Sequence, residues 1–83
     1  MSIPLAIVTA WLVNLPTCPN PLQADTTLIE QGILDSIEIL NLVAFLEESF
    51  AIALPIESFV PENFATPHAI ATLMARITAA KAA

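Results

Sequence analysis

The chain is poor in the residues from which most catalytic and binding motifs are built. Its 83 residues include one glycine, one cysteine, one histidine, two basic side chains and no tyrosine. With Gly32 the only glycine, a Gly-rich phosphate cradle is excluded, because that loop needs several positions without a Cβ. Cys18 has no mate for a disulfide and no companions for a thiolate metal site, so it reads as a small, partly buried hydrophobe in or beside a loop. His68 falls early in the last predicted helix, where solvent exposure is expected, and no zinc-ligand cluster surrounds it. The Asp25-Thr26-Thr27 run lacks the glycine spacing and closing glutamate of a calcium loop. Arg76 and Lys81 face eight carboxylates, for a formal net charge of -6, and no side chain before Arg76 carries a fixed positive charge. Nucleic acid is therefore excluded as a partner, since its backbone is bound by basic surfaces. A docking protein is expected to bring a basic patch, steered by the acidic field.

What the chain does have is apolar surface, at 57% of residues against 12% charged. Its length allows a single domain, 1–83, with a small core and no enclosed active site of its own. Part of the apolar surplus is expected to face partners rather than the core. The greasy start, Ile3 to Leu15, is not an export signal: it has no basic region before it, and Pro4, Thr9 and Asn14 interrupt it. It is also too short to cross a bilayer. The expectation is a packed first helix in a monomeric, cytoplasmic protein without membrane contact.

Hydrophobic spacing predicts helices. The first runs from about Pro4 to Leu15, capped by Ser2, with Leu5, Val8, Leu12 and Leu15 on one stripe and Ile7 and Trp11 beside it. A long connection follows from Pro16 to Leu34. Pro16, Pro19 and Pro21 oppose a helix there, and Leu22, Leu28, Ile29, Ile33 and Leu34 are expected to pin it to the bundle. The second helix runs from about Ser36 to Ser49. Ile39, Leu42, Val43, Leu46 and Phe50 form its buried stripe, while Ile37, Leu40, Ala44 and Phe45 widen the apolar surface. Residues 50–56 read as an extended connector tucking Ile52 and Leu54 inward. A short helix or helical turn near Ser58 to Phe64 comes next, and then a last helix entered through Thr66-Pro67. That helix is expected to end near Ala79, with Ile70, Leu73, Met74 and Ile77 inward and the terminal alanines fraying.

The most informative stretch is Gly32-Ile33-Leu34-Asp35-Ser36-Ile37. A serine at a helix start is usually a cap. Here Asp35 can take that duty, with Glu38 reaching back from three residues on as in a capping box, and both acids suit the positive end of the helix dipole. Ser36 is then left to present its hydroxyl outward. No histidine, lysine or second serine lies nearby to complete a nucleophilic triad, so Ser36 is better placed to have something attached than to do chemistry.

This stretch, followed by Leu42, Leu46, Glu47-Glu48-Ser49-Phe50, Leu54-Pro55, Phe59 and Pro61-Glu62-Asn63-Phe64, resembles the acyl carrier and peptidyl (aminoacyl) carrier proteins over roughly Leu5 to Ile77. The resemblance implies an all-α, acyl-carrier-like four-helix bundle: three long helices, one short helix and a long first loop. It implies a covalent 4'-phosphopantetheine on Ser36, joined through a phosphodiester, whose thiol would hold an acyl or aminoacyl group as a thioester. Asp35 would assist the modification by engaging the transferase and its magnesium ion. Ile37, Glu38, Ala44, Glu47 and Glu48 match the family's partner-facing positions. The implied partners are a phosphopantetheinyl transferase, an adenylating ligase or acyltransferase, and downstream condensing or tailoring enzymes.

Within the family, fatty-acid carriers usually read Gly-Ala-Asp-Ser-Leu-Asp and carry a glutamate where this chain has Asn41. The Leu34-Asp35-Ser36 form with Pro61-Glu62-Asn63-Phe64 is more similar to stand-alone carriers served by adenylating ligases. The leading expectation is thus a carrier in specialised metabolism, of the nonribosomal peptide or polyketide kind. A fatty-acid carrier and an unmodified helical interaction module are the alternatives. An independent enzyme is not expected, because no acid–base or nucleophile–base pair can be assembled.

Overall fold

Side-chain caps open the second and third helices, and a left-handed Ala51 closes the second. The computed structural model describes residues 3–82. Three α-helices occur among them, α1 (Ile3–Leu12), α2 (Ser36–Phe50) and α3 (Pro67–Ala82), with two 3-10 turns, Ile56–Ser58 and Pro61–Phe64, and no strand among the described residues. The all-α arrangement of three long helices behind a long first connection is as expected from sequence. The single short helix is instead two separate turns. Pro61 holds the preceding Val60 extended, at φ -122° and ψ 148°, so no continuous helix can cross that point.

Two boundaries also differ from expectation. α1 stops at Leu12 rather than Leu15: Pro16 has no N–H to give the Leu12 carbonyl, and the turn before it closes with shorter-range bonds instead. The last turn tightens: the Asn14 amide donates to the Trp11 carbonyl at 3.2 Å and the Leu15 amide to the Leu12 carbonyl at 3.0 Å. The Asn14 side chain donates back to the Ala10 carbonyl at 3.0 Å, satisfying a group the ending helix leaves over. The expected cap Ser2 lies outside the described residues. α3 continues through Ala82 rather than ending near Ala79, in keeping with the high helix propensity of alanine. Its start is as predicted, with the Thr66 hydroxyl accepting from the Ala69 amide at 3.0 Å and Pro67 as the first helical residue.

The core takes Val8 and Leu12 from α1, Leu42, Val43 and Leu46 from α2, and Ile70, Leu73 and Met74 from α3. Trp11 and Phe45 stack across the α1–α2 seam with ring centroids 6.1 Å apart. The long connection adds Leu28, Ile33 and Leu34 to the same cluster, so it behaves as packed structure rather than linker. Its backbone is tied down as well: Leu28 donates to the Ala65 carbonyl at 2.8 Å, and the Ala24 carbonyl accepts from the His68 amide at 2.9 Å. Beyond α2, residues 52–55 belong to no helix or strand and Pro55 is extended at φ -66° and ψ 148°, with Leu54 buried and Ile52 half-buried as predicted.

Phe64 is 1% exposed, whereas Phe50, predicted as core, is only half-buried at its edge. Phe64→Ala is therefore expected to cost about 3–5 kcal/mol in denaturant unfolding. Phe50→Ala is expected to cost clearly less, and equal losses would contradict this placement.

Candidate functional site

The approach to α2 is built around one backbone carbonyl. Leu28 O accepts from both the Ile33 amide at 2.8 Å and the Leu34 amide at 3.1 Å, closing a turn over residues 28–34. Gly32 sits inside that turn at φ +72°, the left-handed region where a side chain is strained, although a Cβ there would meet nothing within 4 Å. The Thr17 hydroxyl donates to the Ile33 carbonyl at 2.9 Å, fastening the turn to the first half of the loop. Ile33 and Leu34 are buried just past the glycine, so Asp35 and Ser36 emerge at the surface in a fixed frame.

Asp35 is the N-cap of α2, with extended φ -110° and ψ -175°. Its Oδ1 accepts from the Glu38 amide at 2.8 Å. The reciprocal half of the expected capping box, a bond from the Glu38 carboxylate back to Asp35, does not form. Ser36 is the first helical residue, exposed, and its hydroxyl makes no hydrogen bond among the described residues. The Ser36 hydroxyl, in the first turn and relieved of capping by its neighbour, is open to solvent.

The residues carried over as partner-facing do not share one environment. Ile37 is 68% exposed, and Ala44 and Glu48 are exposed with it along the outer side of α2, while Glu38 is half-buried on a flank. Leu40, not singled out from sequence as partner-facing, is 61% exposed; its spacing from Ile37 and Ala44 would have placed it on the same face. Glu47 is half-buried and turned inward, its Oε2 accepting from the Leu54 amide at 2.8 Å. Next to α2, Ile39, Phe59, Val60, Pro61 and Phe64 line a small apolar slot of about 140 Å³. No group of three or more His, Cys, Asp or Glu among the described residues is arranged to hold a metal ion. No described helix is long and apolar enough to cross a membrane. Cys18 is half-buried and His68 exposed, as their sequence settings suggested.

Residues 6–74, a span that includes Ser36, match the profile of the phosphopantetheine attachment site family. A 57-residue stretch is 46% identical to the lincomycin biosynthesis protein LmbN of Streptomyces lincolnensis, covering 69% of this chain and 20% of that protein. A 58-residue stretch is 34% identical to the probable acyl carrier protein PigG of Serratia sp. (strain ATCC 39006), covering 70% of this chain and 67% of that one. The chain thus spans about a fifth of the first relative's length and about two thirds of the second's.

The geometry separates the two neighbours at the helix start. Asp35→Ala removes the cap and is expected to lower stability by about 1 kcal/mol. Ser36→Ala removes a hydroxyl without a partner and is expected to shift stability by less than about 0.5 kcal/mol. Denaturant titration of both variants checks this, and a larger loss for Ser36→Ala would reverse the assignment of the cap.

Proposed function

Because this chain belongs to the phosphopantetheine attachment family, a family of carriers rather than catalysts, we propose that Ser36 is the residue that bears its 4'-phosphopantetheine. The observation that carries this reading is the exposed, unbonded Ser36 hydroxyl at the first position of α2, with capping left to Asp35. Attached there, the group supplies a thiol-ended arm on which an acyl or aminoacyl cargo is held as a thioester.

The residues present suit such a group. The Ser36 oxygen attacks the pantetheine-bearing phosphorus of a diphosphate donor; the P–O–P bond breaks, the nucleotide half leaves with its phosphate, and the serine proton passes to the transferase, so the chain needs no base of its own. The first-turn amides and the dipole of α2 favour a phosphodiester charge beside Ser36, while Asp35 and Glu38 oppose it. Asp35 uses Oδ1 for the cap, which leaves its second oxygen to engage the transferase and its magnesium ion. Gly32 sets the turn that brings the serine to the surface.

The outer side of α2 is the proposed docking surface, with Ile37 and Ala44 as apolar contacts and Glu38 and Glu48 as charges for a basic partner. The proposed partners are a phosphopantetheinyl transferase, an adenylating ligase or acyltransferase that loads the cargo, and condensing or tailoring enzymes that consume it, in the cytoplasm. Similarity to a lincomycin biosynthesis protein, together with Asn41 and the Leu34-Asp35-Ser36 sequence, favours a specialised product over primary lipid synthesis.

Expressed with a phosphopantetheinyl transferase, the protein is expected to gain the mass of one arm, and Ser36→Ala to gain none while keeping its helical circular dichroism. A mass gain in that variant would move the site elsewhere. The double variant Glu38→Gln/Glu48→Gln is expected to associate more slowly with the transferase, by about threefold or more at low salt, with the difference shrinking as salt is added. Equal rates at low salt would remove charge from the docking account.

A further inference from the structure

Glu47 and Glu48 are adjacent, carry the same charge and fall in the same family-like run, yet the fold treats them differently. The segment after α2 explains why. Residues 52–54 lie outside any helix or strand, so their amides need acceptors other than a helix or sheet partner. Glu47 supplies much of what is needed. Its carbonyl oxygen accepts from the Ala51 amide, where the chain turns through a left-handed φ of 53°, and from the Ile52 amide at 3.1 Å. Its carboxylate then reaches past both to the Leu54 amide at 2.8 Å. Leu54 is buried in the core cluster, so this bond fixes the connector at the point where it enters the interior. From there the chain leads through Ile56–Ser58 to Phe59, Val60 and Pro61, which wall the apolar slot against Ile39 of α2.

We propose that the two glutamates divide two tasks: Glu47 is a positioning residue that latches the connector and so sets the wall of the slot beside α2, while Glu48 presents the docking charge. To serve a partner's cation fully, the Glu47 carboxylate has to swing outward, which strands the Leu54 amide at the edge of the core. Glu48 is exposed and has no bond of that kind to give up. The docking half of this division rests on the carrier reading above; the latch half does not.

Three variants test it. Glu47→Ala removes the acceptor and is expected to speed hydrogen exchange at the Leu54 amide by about tenfold or more. Glu47→Gln keeps an oxygen that can accept the same bond and is expected to restore most of that protection. Association with a phosphopantetheinyl transferase at low salt is expected to slow by about twofold or more for Glu48→Gln, and by clearly less for Glu47→Gln. Unchanged Leu54 exchange in Glu47→Ala overturns the latch. Equal slowing by the two glutamine variants overturns the division of tasks. A transferase that binds none of the proteins, wild type included, contradicts the carrier reading instead, and the exchange measurement still decides the latch.

Discussion

The burial of Leu28 is the constraint on which the site depends. Its side chain has no exposed surface, its amide is held by Ala65 at the approach to α3, and its carbonyl collects the Ile33 and Leu34 amides. One residue thereby joins the long connection, the entry to α3 and the entry to α2. Without it, the segment between Pro16 and Leu34 would be a long loop with free ends of motion, and the cost of ordering it would fall on the first turn of α2. With it, Asp35 begins the helix at a set place and orientation, and Ser36 follows at the surface.

Much of this was legible in the sequence because the signals were local. Thr66-Pro67 marked the start of α3, Asp35 the start of α2, and the prolines the course of the first loop. The apolar spacing of Leu42, Val43 and Leu46 and of Ile70, Leu73 and Met74 identified buried faces correctly. Ser36 stood out because a neighbouring carboxylate could relieve it of capping, and the structure has that cap. What escaped was set by contacts between segments distant along the chain. That Leu28 would pair with Ala65 has no local signal. The 3-10 form of the two turns depends on how Pro55 and Pro61 break a stretch that otherwise looks helical. Phe50 lies in register with the buried stripe, yet stays partly exposed where the chain turns away at Ala51.

The proposed docking face shows the limit of transferring roles by position. Ile37, Ala44 and Glu48 fall where the family pattern suggests and are exposed. Glu47 falls there too, but its carboxylate is committed to the connector. Helical spacing alone puts Glu47 on the border between the outer face and the connector, and only the Leu54 amide decides between them. A small carrier has little surface to spare, so residues at such borders hold the fold and frame the contact surface together.

The reading proposed for Ser36 is that the fold holds its hydroxyl unengaged and within reach of a modifying enzyme. Its most direct test is fragmentation mass spectrometry of the wild-type protein, recovered from cells that supply a phosphopantetheinyl transferase. The added phosphodiester is expected on Ser36, with Ser2, Ser49 and Ser58 unmodified. An arm found on any of those serines, or none on the chain, would contradict it.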